Sequence, residues 1–239
     1  MCKNRGFSLV ELMVVISIIV ILISFILPTV NAVSETVQTV QCATKLKQIH
    51  QAMVAWGWEH DKKFPRSRQG GWDSWVGWGW DQPLTIIQPT QGNLWSYMNE
   101  ESDAYWCPTF VPISQKIKNN RNFMPAFSYS MNEYVGNGWL GKPALNYIES
   151  IANPDGLHLV GDENPYKVPG LSNYTINNGA QGVGRYNDPN HHIDCLGSFH
   201  KPPGGDINNG LCNVAFVDGH VVLVPATESK EVCTPKRWK

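Results

Sequence analysis

Several residue types in this chain are capable of chemistry. His191, His192, Asp194, His200, Asp206, Asp218 and His220 crowd the last fifty residues. Imidazole nitrogens and carboxylate oxygens are ligand types for zinc or calcium. Their spacing is loose, with no HExxH, EF-hand or P-loop pattern. His191 and His192 are adjacent, so in an extended segment they point to opposite sides. Six cysteines, Cys2, Cys42, Cys107, Cys195, Cys212 and Cys233, contain no CxxC pair. A zinc ribbon is therefore not indicated, and in an oxidising compartment disulfides are the default. Ser, His and Asp are all present, but no GxSxG elbow marks a nucleophile. An exported hydrolase is thus a weak alternative, and the chain is expected not to be an enzyme. Trp72, Trp75, Trp78 and Trp80 fall in "GGWDSWVGWGWDQP". Tryptophans interleaved with glycine either stack on sugar rings or pack a loop onto the head.

One further group stands out by its surroundings. Glu11 sits at the start of "RGFSLVELMVVISIIVILISFILP", an otherwise apolar run. A carboxylate in hydrocarbon is costly and calls for a partner. Phe7 to Val30 is 24 residues, about 36 Å as a helix and enough to cross a bilayer core of about 30 Å. Lys3 and Arg5 precede it and no basic residue follows before Lys45. The positive-inside rule places the N-terminus in the cytoplasm and the remainder outside. The run is long for a signal peptide and lacks a clean small-x-small cleavage site.

The 239 residues carry 19 Lys plus Arg against 20 Asp plus Glu, a near-neutral balance that gives no sign of nucleic-acid binding. After the span, Val33, Val37, Val40, Leu46, Ile49, Met53 and Trp56 recur near helical spacing. This predicts one long helix from about Phe7 to Trp58, bent near Pro28, whose second half is the spine of a head. "KKFP" ends it. The rest is rich in Gly, Pro and Asn and reads as short strands and loops. "GLHLVGDEN" predicts a buried strand ending in Asp162 and Glu163. "CNVAFVDGHVVLVP" predicts a hairpin, Val214–Val217 and Val221–Val224, with Asp218-Gly219 suited to a type I′ turn. Asp218 is read as turn chemistry in preference to a ligand. The expected fold is α+β, a long N-terminal helix packed on an antiparallel sheet with long loops.

"RGFSLVEL" resembles the N-terminal signal of type IV pilins and type II secretion pseudopilins. The resemblance implies cleavage after Gly6, N-methylation of Phe7 and a role for Glu11 in assembly. It divides the chain into a leader, 1–6, a transmembrane assembly helix, 7–30, an extracytoplasmic half-helix, 31–58, and a globular head, 59–239. Two buried charges, the Phe7 amine and a neighbour's Glu11, offset each other only when subunits pack in register. The head resembles a branch carrying a C-terminal His–nine residues–Asp-Gly motif whose role is unknown. Its counterparts here are His200, Asp218 and Gly219, although seventeen residues separate His200 from Asp218. Other counterparts are Cys42 with Leu46 and Gln48, Cys107-Pro108, and Ser128-Tyr129 with Asn132.

The resemblance implies a structural subunit of a pilus or secretion pseudopilus, single-pass in the bacterial inner membrane. The alternative within the family is a minor pilin whose Trp-rich head is an adhesin. Implied partners are copies of itself or other pilin-like subunits, prepilin peptidase and the inner-membrane assembly platform, with no nucleic acid. No cofactor is expected apart from a candidate calcium, since pseudopilins of the major type often bind calcium in a late loop and "DPNHHID" or "GGDINNG" offers oxygen ligands. Among the cysteines left after cleavage, Cys42 with Cys107 is the favoured disulfide, because the loop bearing Cys107 must pack back on the helix. Cys195 with Cys212 or Cys233 is the second.

Overall fold

The computed structural model describes residues 8–67, 74–77, 89–114, 127–136, 145, 147–164, 180–181, 194–202, 205–206 and 209–234. Within these, α1 runs Leu9–Glu59 without interruption and includes Pro28. By its contacts the chain forms two compact units, Met1–Val37 and Gln38–Lys239, so the distal part of α1 belongs with the head.

In the first unit, Leu9–Leu27 is long and apolar enough to cross a membrane, and none of it is buried. The two hydroxyls in this stretch bond back to helix carbonyls, Ser17 Oγ to Met13 O at 2.8 Å and Ser24 Oγ to Ile21 O at 2.6 Å. Lipid offers no hydrogen bonds, so such back-bonding lets serine reside in a span.

In the second unit α1 buries Thr39, Cys42, Leu46, Ile49, Met53 and Trp56, a 3-4-3-4-3 stripe on one helix face. The buried face is shorter than periodicity suggested. Val33, Val37 and Val40 are about half exposed. They share the apolar character of the stripe but precede or flank the point where the head begins.

Five strands form one sheet in the order β3-β1-β2-β4-β5. They are β1 Tyr129–Asn132, β2 His158–Asp162, β3 Ala180–Gln181, β4 Leu211–Phe216 and β5 Val221–Pro225. All pairs are antiparallel except β1 with β3. The expected α+β fold is thus the observed one. One sheet face joins the helix stripe in a single core, where Tyr129, Met131, Leu159, Val160, Ala215 and Val217 meet Cys42, Leu46, Ile49 and Met53. The opposite face holds Cys212, Val214 and Phe216 against Leu196 and against Cys233 of α3 Ser229–Cys233.

The β4–β5 hairpin forms, with a different turn. Phe216 and His220 close a three-residue connection, Gly219 N–H donating to Phe216 O at 2.9 Å and Phe216 N–H to His220 O at 2.9 Å. Gly219 has φ +91°, but Asp218 is not among the residues of positive φ, so the turn is not type I′. The pattern is that of a three-residue loop with glycine in the left-handed position. Asp218 Oδ1 accepts from the His220 amide at 3.1 Å, which is turn chemistry as expected. A Cβ on Gly219 would lie 2.7 Å from the His50 ring, whose Nε2 is 3.0 Å from Val217 O. The Asp-Gly turn therefore seats directly on the spine helix, and only glycine permits that approach.

His158 is fully buried at the start of β2, with Cys233 Sγ 3.4 Å from Nδ1 and no hydrogen-bond partner on Nε2 among the described residues. Burial pushes its pKa down to about 3. It is therefore neutral when folded and protonates near pH 6.5 when unfolded. The stability it permits is complete above pH 6.5 and declines below it, by up to about 1.4 kcal/mol per pH unit. Denaturant unfolding between pH 6.5 and 5 should show this slope, and His158→Leu should remove it. An unchanged slope in the variant would place the protonation elsewhere.

Candidate functional site

Two places carry polar chemistry. The first is the start of α1. Gly6 and Phe7 lie outside the described residues. Ser8 N–H donates to Glu11 Oε2 at 2.8 Å, and Glu11 N–H donates to Ser8 Oγ at 3.2 Å. This reciprocal pair is a capping box, which satisfies two of the orphan amides at a helix start. Glu11 therefore has a partner within its own subunit. The S-x-x-E spacing was visible in the sequence, hidden by its place at the edge of a span.

The second place lies at the Thr39–Cys42 end of the helix–sheet core. Cys42 comes from α1, Cys107 from the turn after "YW", Asp162 from the end of β2 and His200 from the extended strand-like segment that bridges Leu211. Alternation along each strand puts Tyr129, Asp162 and Asn213 on the sheet face toward the helix, where a polar end caps the apolar core. One ligand-type atom from each of Cys42, Cys107, Asp162 and His200 lies within 4.8 Å of all the others. All four residues are at most 1% exposed.

The contacts converge on a common centre. His200 Nε2 is 3.4 Å from Cys107 Sγ and 3.6 Å from Asp162 Oδ2, and Cys42 Sγ is 3.6 Å from the same Oδ2. The far ring nitrogen, Nδ1, meets Thr39 Oγ1 and Thr109 Oγ1, each at 3.3 Å. Around this group, Tyr129 O–H donates to Cys42 Sγ at 3.4 Å, and Asn213 Nδ2 donates to Thr39 O at 2.9 Å. Cys107 N–H donates to Ser128 Oγ at 2.6 Å, which fixes the turn. Asp162 Oδ1 is buried with no hydrogen-bond partner among the described residues.

Electrostatics here are those of strongly interacting groups. Burial pushes the Cys42 thiol well up, and the hydrogen bond with Cys107 and the Asp162 charge add to it. Burial opposes ionisation of Cys107, but its hydrogen bonds with Cys42 and His200 hold its pKa below the usual thiol value. Burial likewise opposes charge on His200, yet Asp162 and Cys107 raise its pKa to about 10.

A cysteine, a histidine and an aspartate in contact invite comparison with a nucleophilic triad. That arrangement needs the thiol on one ring nitrogen and the carboxylate on the other. Here both Cys107 and Asp162 face Nε2, and the sealed site gives a substrate no approach. The cluster is not arranged as a hydrolase.

The other sequence candidates distribute as follows. Cys42 and Cys107 do come together, but as free thiols sharing Asp162 and His200, not as a disulfide. Cys195, Cys212 and Cys233 are also buried and form no disulfide among the described residues; Cys212 Sγ meets Asn213 O at 3.2 Å and Cys233 Sγ meets His158 Nδ1 at 3.4 Å. Trp75 cannot stack on a glycan, because its ring is fully buried beside Tyr105 and Phe127. Trp72, Trp78, Trp80, His191 and His192 lie outside the described residues. Asp194 is buried, Asp206 is exposed, and Asp218 with His220 forms a turn-local pair at 2.5 Å. The motif residues His200 and Asp218-Gly219 thus serve different places, His200 in the cluster and the dipeptide in the turn against His50.

A long helix whose N-terminal part is apolar enough to cross a membrane and whose later part packs on an antiparallel sheet is consistent with a pilin fold. Residues 1–27 match the family model for the prokaryotic N-terminal methylation motif. The match covers the N-terminal segment alone and supports a pilin-like, prepilin-type protein. No curated protein and no solved structure shows significant similarity to the chain.

Asn213 ties β4 to the spine at this cluster. Asn213→Ala removes the side-chain amide that meets the Thr39 carbonyl and His200 Nε2 and should cost about 0.5–1.5 kcal/mol in chemical unfolding. Asn209→Ala, at an exposed loop site, should change stability by less than about 0.5 kcal/mol. Equal effects would contradict the tie.

Proposed function

We propose that this protein is a prepilin-like structural subunit of a type IV pilus or type II secretion pseudopilus, cut after Gly6 and assembled through α1. The methylation-motif match over residues 1–27 carries the reading. It implies processing by prepilin peptidase and assembly with other pilin subunits. The apolar Leu9–Leu27 stretch, unburied on every side, supports it, because such a surface requires lipid or neighbouring helices.

Cleavage after Gly6 leaves the amine of Phe7 one residue before Ser8. In the free subunit Glu11 caps its own helix. In a filament its carboxylate gains a second partner, the Phe7 amine of an adjacent subunit. A charge buried without its partner costs about 3–5 kcal/mol, so a mismatched register is rejected.

Two substitutions separate the capping role from the charge-pairing role. Glu11→Ala removes both, whereas Glu11→Gln keeps a capping acceptor and removes the charge. Both should insert normally, and both should reduce incorporation into filaments by more than about tenfold. Wild-type incorporation of Glu11→Gln, scored by immunoblot of sheared or overproduced filaments, would contradict the pairing.

A further inference from the structure

We propose that Cys42, Cys107, Asp162 and His200 form a structural zinc site that clamps the spine helix to the sheet. The set contains two thiolates, one imidazole and one carboxylate, the mixed sulfur–nitrogen–oxygen class that favours zinc over calcium or magnesium.

Three observations carry it. The first is spacing. Zinc bonds of about 2.0–2.3 Å in a tetrahedron separate ligand atoms by about 3.3–3.8 Å. The pairs Cys107 Sγ–His200 Nε2, Asp162 Oδ2–His200 Nε2 and Cys42 Sγ–Asp162 Oδ2 are 3.4, 3.6 and 3.6 Å apart. An imidazolium–carboxylate hydrogen bond would draw nitrogen and oxygen to about 2.7–2.9 Å. The second is direction. Cys107 Sγ, Asp162 Oδ2 and Asn213 Nδ2 all meet the one ring nitrogen Nε2 of His200, and a single N–H cannot serve both the thiol and the carboxylate well. A cation at the common centre serves all four ligands. The third is the outer shell. His200 Nδ1 faces the hydroxyls of Thr39 and Thr109, Tyr129 donates to Cys42, and Asp162 Oδ1 lacks a hydrogen-bond partner among the described residues. Metal-bound histidines ordinarily hold their second nitrogen to such a polar partner.

Binding releases the thiol protons of Cys42 and Cys107 and any proton on His200 Nε2, so each ligand enters with a free electron pair. Three negative ligands around a doubly charged ion leave one excess negative charge, which the Tyr129 hydroxyl and the Asn213 amide adjoin. The four ligands come from four separate segments, so the ion acts as a crosslink where the helix enters the head. This is independent of filament assembly, since no ligand lies in the span.

Full-length protein, purified in detergent without added metal or reductant, should contain one zinc per chain by elemental mass spectrometry. Cobalt exchanged for the zinc should give the visible absorption of tetrahedral cobalt and the charge-transfer band of cobalt–thiolate bonds. Cys42→Ser and His200→Gln should each lower zinc content at least about tenfold, whereas Cys195→Ser should keep it. Two wild-type results overturn the proposal without any variant. One is a metal-free protein whose non-reduced peptide map links Cys42 to Cys107. The other is a metal-free protein in which iodoacetamide labels both cysteines after unfolding in chelator-free buffer. Zinc retained at full stoichiometry by Cys42→Ser and His200→Gln would place the ion elsewhere and also overturn it.

Discussion

One helix in this protein must satisfy two environments, and the remaining architecture follows from that constraint. Leu9–Leu27 presents apolar side chains on all sides, as a segment in lipid or among like helices does. From Thr39 onward the same helix narrows to a single stripe, and Cys42, Leu46, Ile49, Met53 and Trp56 disappear beneath the sheet. Among the described residues the head has no comparable long element of its own. Its strands are four to six residues in β1, β2, β4 and β5, and one face of their sheet packs on the helix stripe.

Polar groups secure the stripe at two levels. Beside Ile49, the Val217–Gly219 turn seats on His50, an approach that glycine makes feasible. At the start of the stripe, Asp162, Asn213 and Tyr129 reach from the sheet onto Thr39 and Cys42. Apolar packing is tolerant of sliding, whereas these bonds have fixed positions along the helix axis. They set the register of helix on sheet.

Much of this could be read in the sequence, for identifiable reasons. The length of α1 followed from unbroken apolar periodicity, and the β4–β5 hairpin from two Val-rich runs around Asp218-Gly219. The lower limit of the buried stripe did not follow, because Val33, Val37 and Val40 have the same character as Leu46 and Ile49. Burial there depends on where the head lies, which spacing does not encode. The cluster was legible only in pieces. Cys42 and Cys107 were matched and His200 was marked as motif-like, but Asp162 appeared as the end of a strand. Ligands at positions 42, 107, 162 and 200 share no local spacing, so only tertiary structure brings them together. The buried Trp75 agrees with the packing alternative for the Trp-rich stretch and not with glycan stacking.

The central claim is that the apolar half of α1 remains on the mature protein as its anchoring and assembly element. Intact-mass and N-terminal peptide mass spectrometry of protein extracted from membranes tests this most directly. The account predicts a chain that begins at Phe7, heavier than the unmodified sequence by one methyl group on its amine. A mature terminus beyond Ala32 would mean that the segment is an ordinary signal peptide, and the account would be wrong.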